Sequence, residues 1–169
     1  MTRIHFVGDG QRDETTLPLL VENVLSTHHG RKVVVTPTFA SWARLHGAAK
    51  GYARKLFFAC NQAADERAVG LVATVDRDKS PGRSRLGDLK DGRAAARAGL
   101  IGLPIALGEA DPHAEAWLVA DPATVCSALD IPPDAIARAP DLPPKDLLEH
   151  LRRLSAQRSG SETLPLDLL

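Results

Sequence analysis

The run VGLVATV, Val69 to Val75, constrains the fold of this chain more than any other stretch. It has no charge, it is rich in β-branched residues, and it ends abruptly in Asp76-Arg77-Asp78. A strand with one face in water alternates apolar with polar residues. A continuous apolar run instead suits a strand covered on both faces, as in a parallel sheet between layers of helix. Parallel neighbours need long, usually helical, crossovers between them.

The rest of the sequence supplies that alternation. RIHFV, Arg3 to Val7, predicts a short strand running into Gly8-Asp9-Gly10. From Glu14 to about Thr27, Leu17, Leu20, Val21, Val24 and Leu25 recur at helical spacing. KVVVTPTF, from Lys32, predicts a second strand that Pro37 ends or confines to an edge. A long helical pattern follows from about Trp42 to Arg67, with Leu45, Ala49, Tyr52, Leu56 and Cys60 on one stripe. After Val69–Val75 come a shorter helix near Leu86–Ala98 and a fourth strand, LIGLPIAL, Leu100 to Leu107, weakened by Gly102 and Pro104.

The remainder reads as helix: HAEAWLVA, a second helix entered through Asp121-Pro122, and a third over Lys145–Leu154. Asp before Pro starts a helix, with Asp as N-cap and Pro in the first turn. The proline-rich stretch Ile131–Pro144 predicts an irregular connector, and the last ten or so residues a frayed end. The expectation is an α/β fold: a mainly parallel, four-stranded, Rossmann-like sheet flanked by helices, with a helical C-terminal segment. It takes residues 1–155 as one domain and 156–169 as a flexible tail.

Lys+Arg and Asp+Glu both number 21 among the 169 residues. No global field therefore draws the protein to nucleic acid or membrane, and anion affinity must come from local clustering. Two cysteines, Cys60 and Cys126, in no CxxC pattern suit a reducing cytoplasm better than a disulfide scaffold or zinc site. No apolar run approaches the ~20 residues that span a bilayer. There is no GxSxG and no P-loop motif, which disfavours a serine hydrolase or a self-contained NTPase.

Two acidic clusters follow two strands: Asp9, Asp13 and Glu14 after the first, Asp76 and Asp78 after the third. In parallel sheets ligands gather at the carboxyl ends of strands. Carboxylates converging there repel unless a cation compensates, and a hard ion such as Mg²⁺ does so with a few oxygens, keeping waters for substrate phosphates. Each piece also has a plain structural reading. Asp9 serves as a turn residue, Asp13 as a helix cap, and the pair as partners of Arg77, Arg83 or Arg85.

These residues carry a resemblance. FVGDGQRDETTLPLL followed by LVATVDRD resembles the TOPRIM pattern, an acidic residue and glycine after the first strand and a DxD after a later one. PHAEAWLVADP and PKDLLEHL look like the small stand-alone TOPRIM-like family designated DUF4276, related to OLD-type nucleases. The resemblance spans Arg3 to about Leu154. It implies a TOPRIM-like fold, Asp9 as metal ligand or base, Asp76 and Asp78 as ligands of Mg²⁺ or Mn²⁺, and Asp13 as a secondary acidic group. Glu115, matching the family's EAW, would complete the site as ligand or acid, or else sit solvated near a helix start. The family usually has glutamate where this chain has Asp9, whose carboxylate reaches one methylene less far.

Lys79, Arg83 and Arg85 follow the acidic pair and suit a phosphate and its developing charge. His46, Lys50 and Arg54, and likewise Lys90, Arg93 and Arg97, form basic stripes that could hold a phosphate backbone but are more often solvated faces. The expectation is a Mg²⁺-dependent phosphoryl-transfer enzyme, most simply a nuclease acting on DNA or RNA in phage defence, with a separately encoded ATPase as partner and a homodimer compatible with the fold. The alternative is a non-catalytic TOPRIM-like module that serves such an ATPase.

Overall fold

Strands alternate with helices, as the apolar run at Val69–Val75 requires. The computed structural model describes residues 2–30, 32–37, 51–77, 84–99, 101–111, 113–139 and 141–159. Contacts cluster into two compact units, Met1–Glu109 and Ala110–Leu169.

In the first unit β1 (Thr2–Val7) leads into α1 (Gln11–His29), and β2 (Val33–Pro37) returns parallel to β1, Thr2 facing Val33 and Phe6 facing Pro37. After α2 (Tyr52–Asp65), β3 (Gly70–Asp76) lies on the other side of β1, with Ile4 opposite Gly70 and Val7 opposite Ala73. Then α3 (Arg85–Ala98) leads to β4 (Ile105–Ala110). The strand order is β2-β1-β3-β4, all parallel, so the α/β class and the four-stranded parallel sheet are as the sequence indicates. β2 is an edge strand, the position its Pro37 demands.

The core of this unit lies between the sheet and α2 and α3, where Leu56 and Cys60 meet Leu71, Ala73, Val75 and Leu89. α2 and α3 cross so closely that a Cβ on Gly92 would stand 2.5 Å from the Ala53 carbonyl oxygen and 2.8 Å from its Cα. Only glycine allows that approach.

Three expectations shift. The fourth strand begins at Ile105, not Leu100, because Pro104 has no N–H to give; its carbonyl instead accepts from the Leu71 amide at 2.9 Å. The long helix is described only from Tyr52, entered through Gly51 at φ 80°, and its expected beginning lies outside the described residues. The apolar stripe on α1 is buried only at its start. Leu17 is 2% exposed, whereas Leu20 and Val24 are 41% and 48% exposed. The reason is chemical: β2 presents edge amides, and α1 meets them with polar groups. Val35 N–H donates to Glu22 Oε1 at 2.7 Å and Val33 N–H to Ser26 Oγ at 3.1 Å. Glu22 and Ser26 are one turn apart, so the side of α1 that covers the sheet edge is the polar one.

The second unit is helical. It comprises α4 (Glu115–Val119), α5 (Pro122–Ala128), α6 (Ala135–Arg138) and α7 (Pro144–Ser159), around Val125, Cys126, Leu129, Ile131, Leu148 and Leu151. Asp121 caps α5 as expected: Oδ1 accepts from Thr124 N–H at 3.2 Å and Oδ2 from the Thr124 hydroxyl at 2.7 Å. α5 ends with Asp130 at φ 50°, which lets Ile131 N–H reach back to the Cys126 carbonyl at 3.0 Å. The stretch expected as an irregular connector contains the single turn α6, and α7 outruns its expected end at Leu154. The buried Ser155 hydroxyl donates to the Leu129 carbonyl and fastens α7 to the end of α5. Among the described residues no helix is long and apolar enough to cross a membrane.

Candidate functional site

The site begins with a glycine. At the end of β1, a Cβ on Gly8 would lie 2.8 Å from Asp13 Cβ and 3.0 Å from the Phe6 ring, so the chain can enter α1 here only without a side chain. Asp13, in the first turn, then reaches back, and its Oδ2 accepts from the Asp9 N–H at 3.1 Å. An acidic residue in the first turn bonding a preceding amide is the logic of a capping box. The N-cap, Gly10, supplies no side chain of its own. The plain reading of Asp13 as a cap thus has a bond behind it.

That turn delivers Asp9 to the tip of β3. Its Oδ2 accepts from the Asp76 N–H at 2.8 Å and from Arg85 Nη1 at 3.0 Å, and its Oδ1 accepts from the Tyr52 hydroxyl at 3.1 Å. Tyr52 is the first residue of α2 and Arg85 the first of α3. One carboxylate therefore ties together β1, β3 and both helices that cover them. Asp9 is 15% exposed and Arg85 31%, so the pair is shielded on one side and open to water on the other. Arg85 Cζ and Lys55 Nζ stand 5.4 and 5.2 Å from the centre of the Tyr52 ring, within reach of its negative face. Lys55 is buried on α2, so this end of the sheet holds two cations beside the acids.

The place is where the strand order turns. β2 is laid to one side of β1, and β3 and β4 to the other. Between β1 and β3 the crossovers part, and the strand ends at such a switch point are where open α/β sheets bind ligands. Asp9 follows β1 there, and Asp76 ends β3.

The donor set can be tested against a hard metal ion. A carboxylate offers about four lone-pair sites. Among the described residues Asp9 Oδ2 accepts from two donors and Oδ1 from one, the Tyr52 hydroxyl. Asp76 meets Asp9 through its backbone N–H, so of the site's carboxylate oxygens it is Asp9 Oδ1 that would be offered to an ion such as Mg²⁺, which takes one or two carboxylates with waters and phosphate oxygens. Among the described residues no cluster of three or more His, Cys, Asp or Glu is arranged to hold a metal. An ion held there would therefore have to draw most of its ligands from water and substrate.

Of the residues singled out from sequence, Asp9, Asp13, Asp76 and Arg85 come together. Asp78, Lys79 and Arg83 lie outside the described residues. Glu115 opens α4 in the second unit. Lys90 and Arg97 are exposed on α3, the solvated face that such stripes usually form. Tyr52 and Lys55 were not singled out as site residues. Their signal was Gly51, a breaker inside an otherwise helical pattern, which starts the helix at Tyr52 and puts the sole tyrosine at a helix terminus.

No protein-family model matches this chain, and no curated protein or solved structure matches it either.

Proposed function

We propose that this protein is a TOPRIM-like, Mg²⁺-dependent phosphoryl-transfer enzyme, most simply a nuclease. The observation that supports the reading is that Asp9, at the end of β1, is held against the end of β3 by the Asp76 N–H, with Arg85 at the same carboxylate. Asp9 Oδ1 and the Asp76 carboxylate would hold the ion, with Asp78 joining them as the resemblance implies. Bound there, a divalent ion lowers the pKa of a water and stabilises the leaving oxygen of a phosphodiester.

The chain's own residues have separate tasks. Tyr52 and the Asp76 amide hold the Asp9 carboxylate in one orientation through its two oxygens. Arg85, bonded to Asp9 and partly exposed, would meet a phosphate oxygen, the charge-assisted contact for which a guanidinium is suited. A role in phage defence with an ATPase partner remains part of this proposal.

A second reading has its own observation. Arg85 already neutralises Asp9, as it would in a non-catalytic module that has no need of metal. One experiment separates them. Plasmid, single-stranded DNA and RNA are incubated with the protein in Mg²⁺ or Mn²⁺, beside an Asp76→Ala/Asp78→Ala variant, and melting curves are taken with and without metal. The enzyme reading expects cleavage and a metal-dependent rise in melting temperature, both lost in the variant. Intact substrates and a melting curve indifferent to metal would establish the module instead.

A further inference from the structure

The second unit contains a cavity that the proposed site does not use. It encloses about 470 Å³, within the ~300–1,000 Å³ typical of small-molecule sites. Its floor is apolar: Ile131 and Ala135 from one side and Leu154 of α7 from the other. His150, Leu154 and Arg158 follow one another at four-residue spacing along α7, and all three line the cavity, so one helix face presents donor, apolar and cationic groups in a row.

The charges at the rim differ in what they already bond. Arg138, across the cavity, is paired with Asp134, and that couple is internally balanced. Neither Arg158 nor His150 has a hydrogen-bond or ion-pair partner among the described residues. Among the described residues the cavity thus combines apolar lining with one guanidinium and one imidazole that have no bonded partner, on the same helix. A bare phosphate would leave the floor wet, and a neutral hydrocarbon would leave Arg158 unmatched. A ligand with an aliphatic body and one carboxylate satisfies both.

We propose that this cavity is a binding site for a medium-chain aliphatic carboxylate, its chain lying over Ile131, Ala135 and Leu154 and its carboxylate meeting Arg158 and His150. The site is independent of the metal and nuclease reading.

The test uses the full-length ¹⁵N-labelled protein titrated with sodium octanoate and followed by amide chemical shifts. Octan-1-ol and sodium acetate serve as probes lacking the charge and the chain, respectively. The expected result is saturable shifts confined to residues 131–138 and 150–158, with octanol and acetate each bound at least about tenfold more weakly. Arg158 is exposed, so Arg158→Gln should fold and lose about tenfold in octanoate affinity. Arg158→Glu should reverse the preference towards octylammonium. Octanol binding as well as octanoate, shifts scattered over the first unit, or an Arg158→Gln protein that binds like the parent would overturn the proposal.

Discussion

Asp9 answers, for itself, the question that two clusters of carboxylates pose. Among the described residues its positive partner is Arg85, and it also accepts from Tyr52 and from the amide of Asp76. The convergence of Asp9 and Asp76 was legible in the sequence. Residues that follow two parallel strands emerge at the same sheet edge, and β1 and β3 are neighbours. The partners Tyr52 and Lys55 were not, because the helical periodicity runs through Gly51 without a break, and only the backbone of that glycine, at φ 80°, makes Tyr52 the first residue of α2. His5 is a further residue that no pattern announced. It is 1% exposed on β1, with Nε2 3.3 Å from Glu66 Oε2 but out of hydrogen-bond geometry. Burial lowers its pKa below 6.5, Glu66 opposes that shift, and Arg3 adds to it. The neutral ring is therefore the folded form. Above about 6.5 both folded and unfolded chains hold it neutral, and as pH falls below that value the unfolded chain takes the proton first, so stability is lost. The melting temperature should drop between pH 7.5 and pH 5.5, and His5→Leu should flatten the drop. An equal drop in both proteins would place the pH sensitivity elsewhere.

At the scale of elements, helix packing decides where the site residues end up. Tyr52 and Arg85 open α2 and α3, and the crossing that sets the spacing of those helices is the contact of Gly92 with the Ala53 backbone. A methyl group there must push backbone, not a flexible side chain. Gly92→Ala should therefore cost about 1–3 kcal/mol of stability, the usual range for an overpacked core position, despite alanine's better helix propensity. Gly102→Ala is the control, since a Cβ there meets nothing within 4 Å. Urea denaturation of the two variants checks this, and an unchanged midpoint for Gly92→Ala would show that the helices part without cost. Among the elements themselves, β3 was legible because burial on both faces leaves only apolar residues, and α5 because Asp-Pro is a chemical start signal. β4 was misplaced by five residues because its apolar run continues on both sides of Pro104, and only the missing N–H of that proline sets where pairing starts. The stripe on α1 misled for a different reason. Periodicity shows that a helix has an apolar side, but the neighbour was a sheet edge whose amides needed Glu22 and Ser26.

For the whole molecule, the division into two units falls inside β4, where the sequence offers neither a linker nor a shift in composition. What distinguishes the units is that each has its own core, and each core contains one thiol: Cys60 among Leu56, Leu71 and Leu89, Cys126 among Val125, Leu129 and Leu151. Burial pushes the Cys60 pKa up to about 11, so the reactive thiolate is scarce there even at mildly alkaline pH. In the native protein at pH 8 a water-soluble alkylating reagent should label neither cysteine within minutes. In increasing urea, each thiol should react only once its own core opens, which makes the pair a reporter of the two units. Smaller units in general bury a smaller share of their surface and are the less stable, and Ala110–Leu169 is the smaller of the two. Alkylation read by peptide mass should accordingly reach half-completion at lower urea for Cys126 than for Cys60. Coincident midpoints would show that the two cores melt as one cooperative structure, and rapid labelling of Cys60 without urea would contradict the burial that defines the first core.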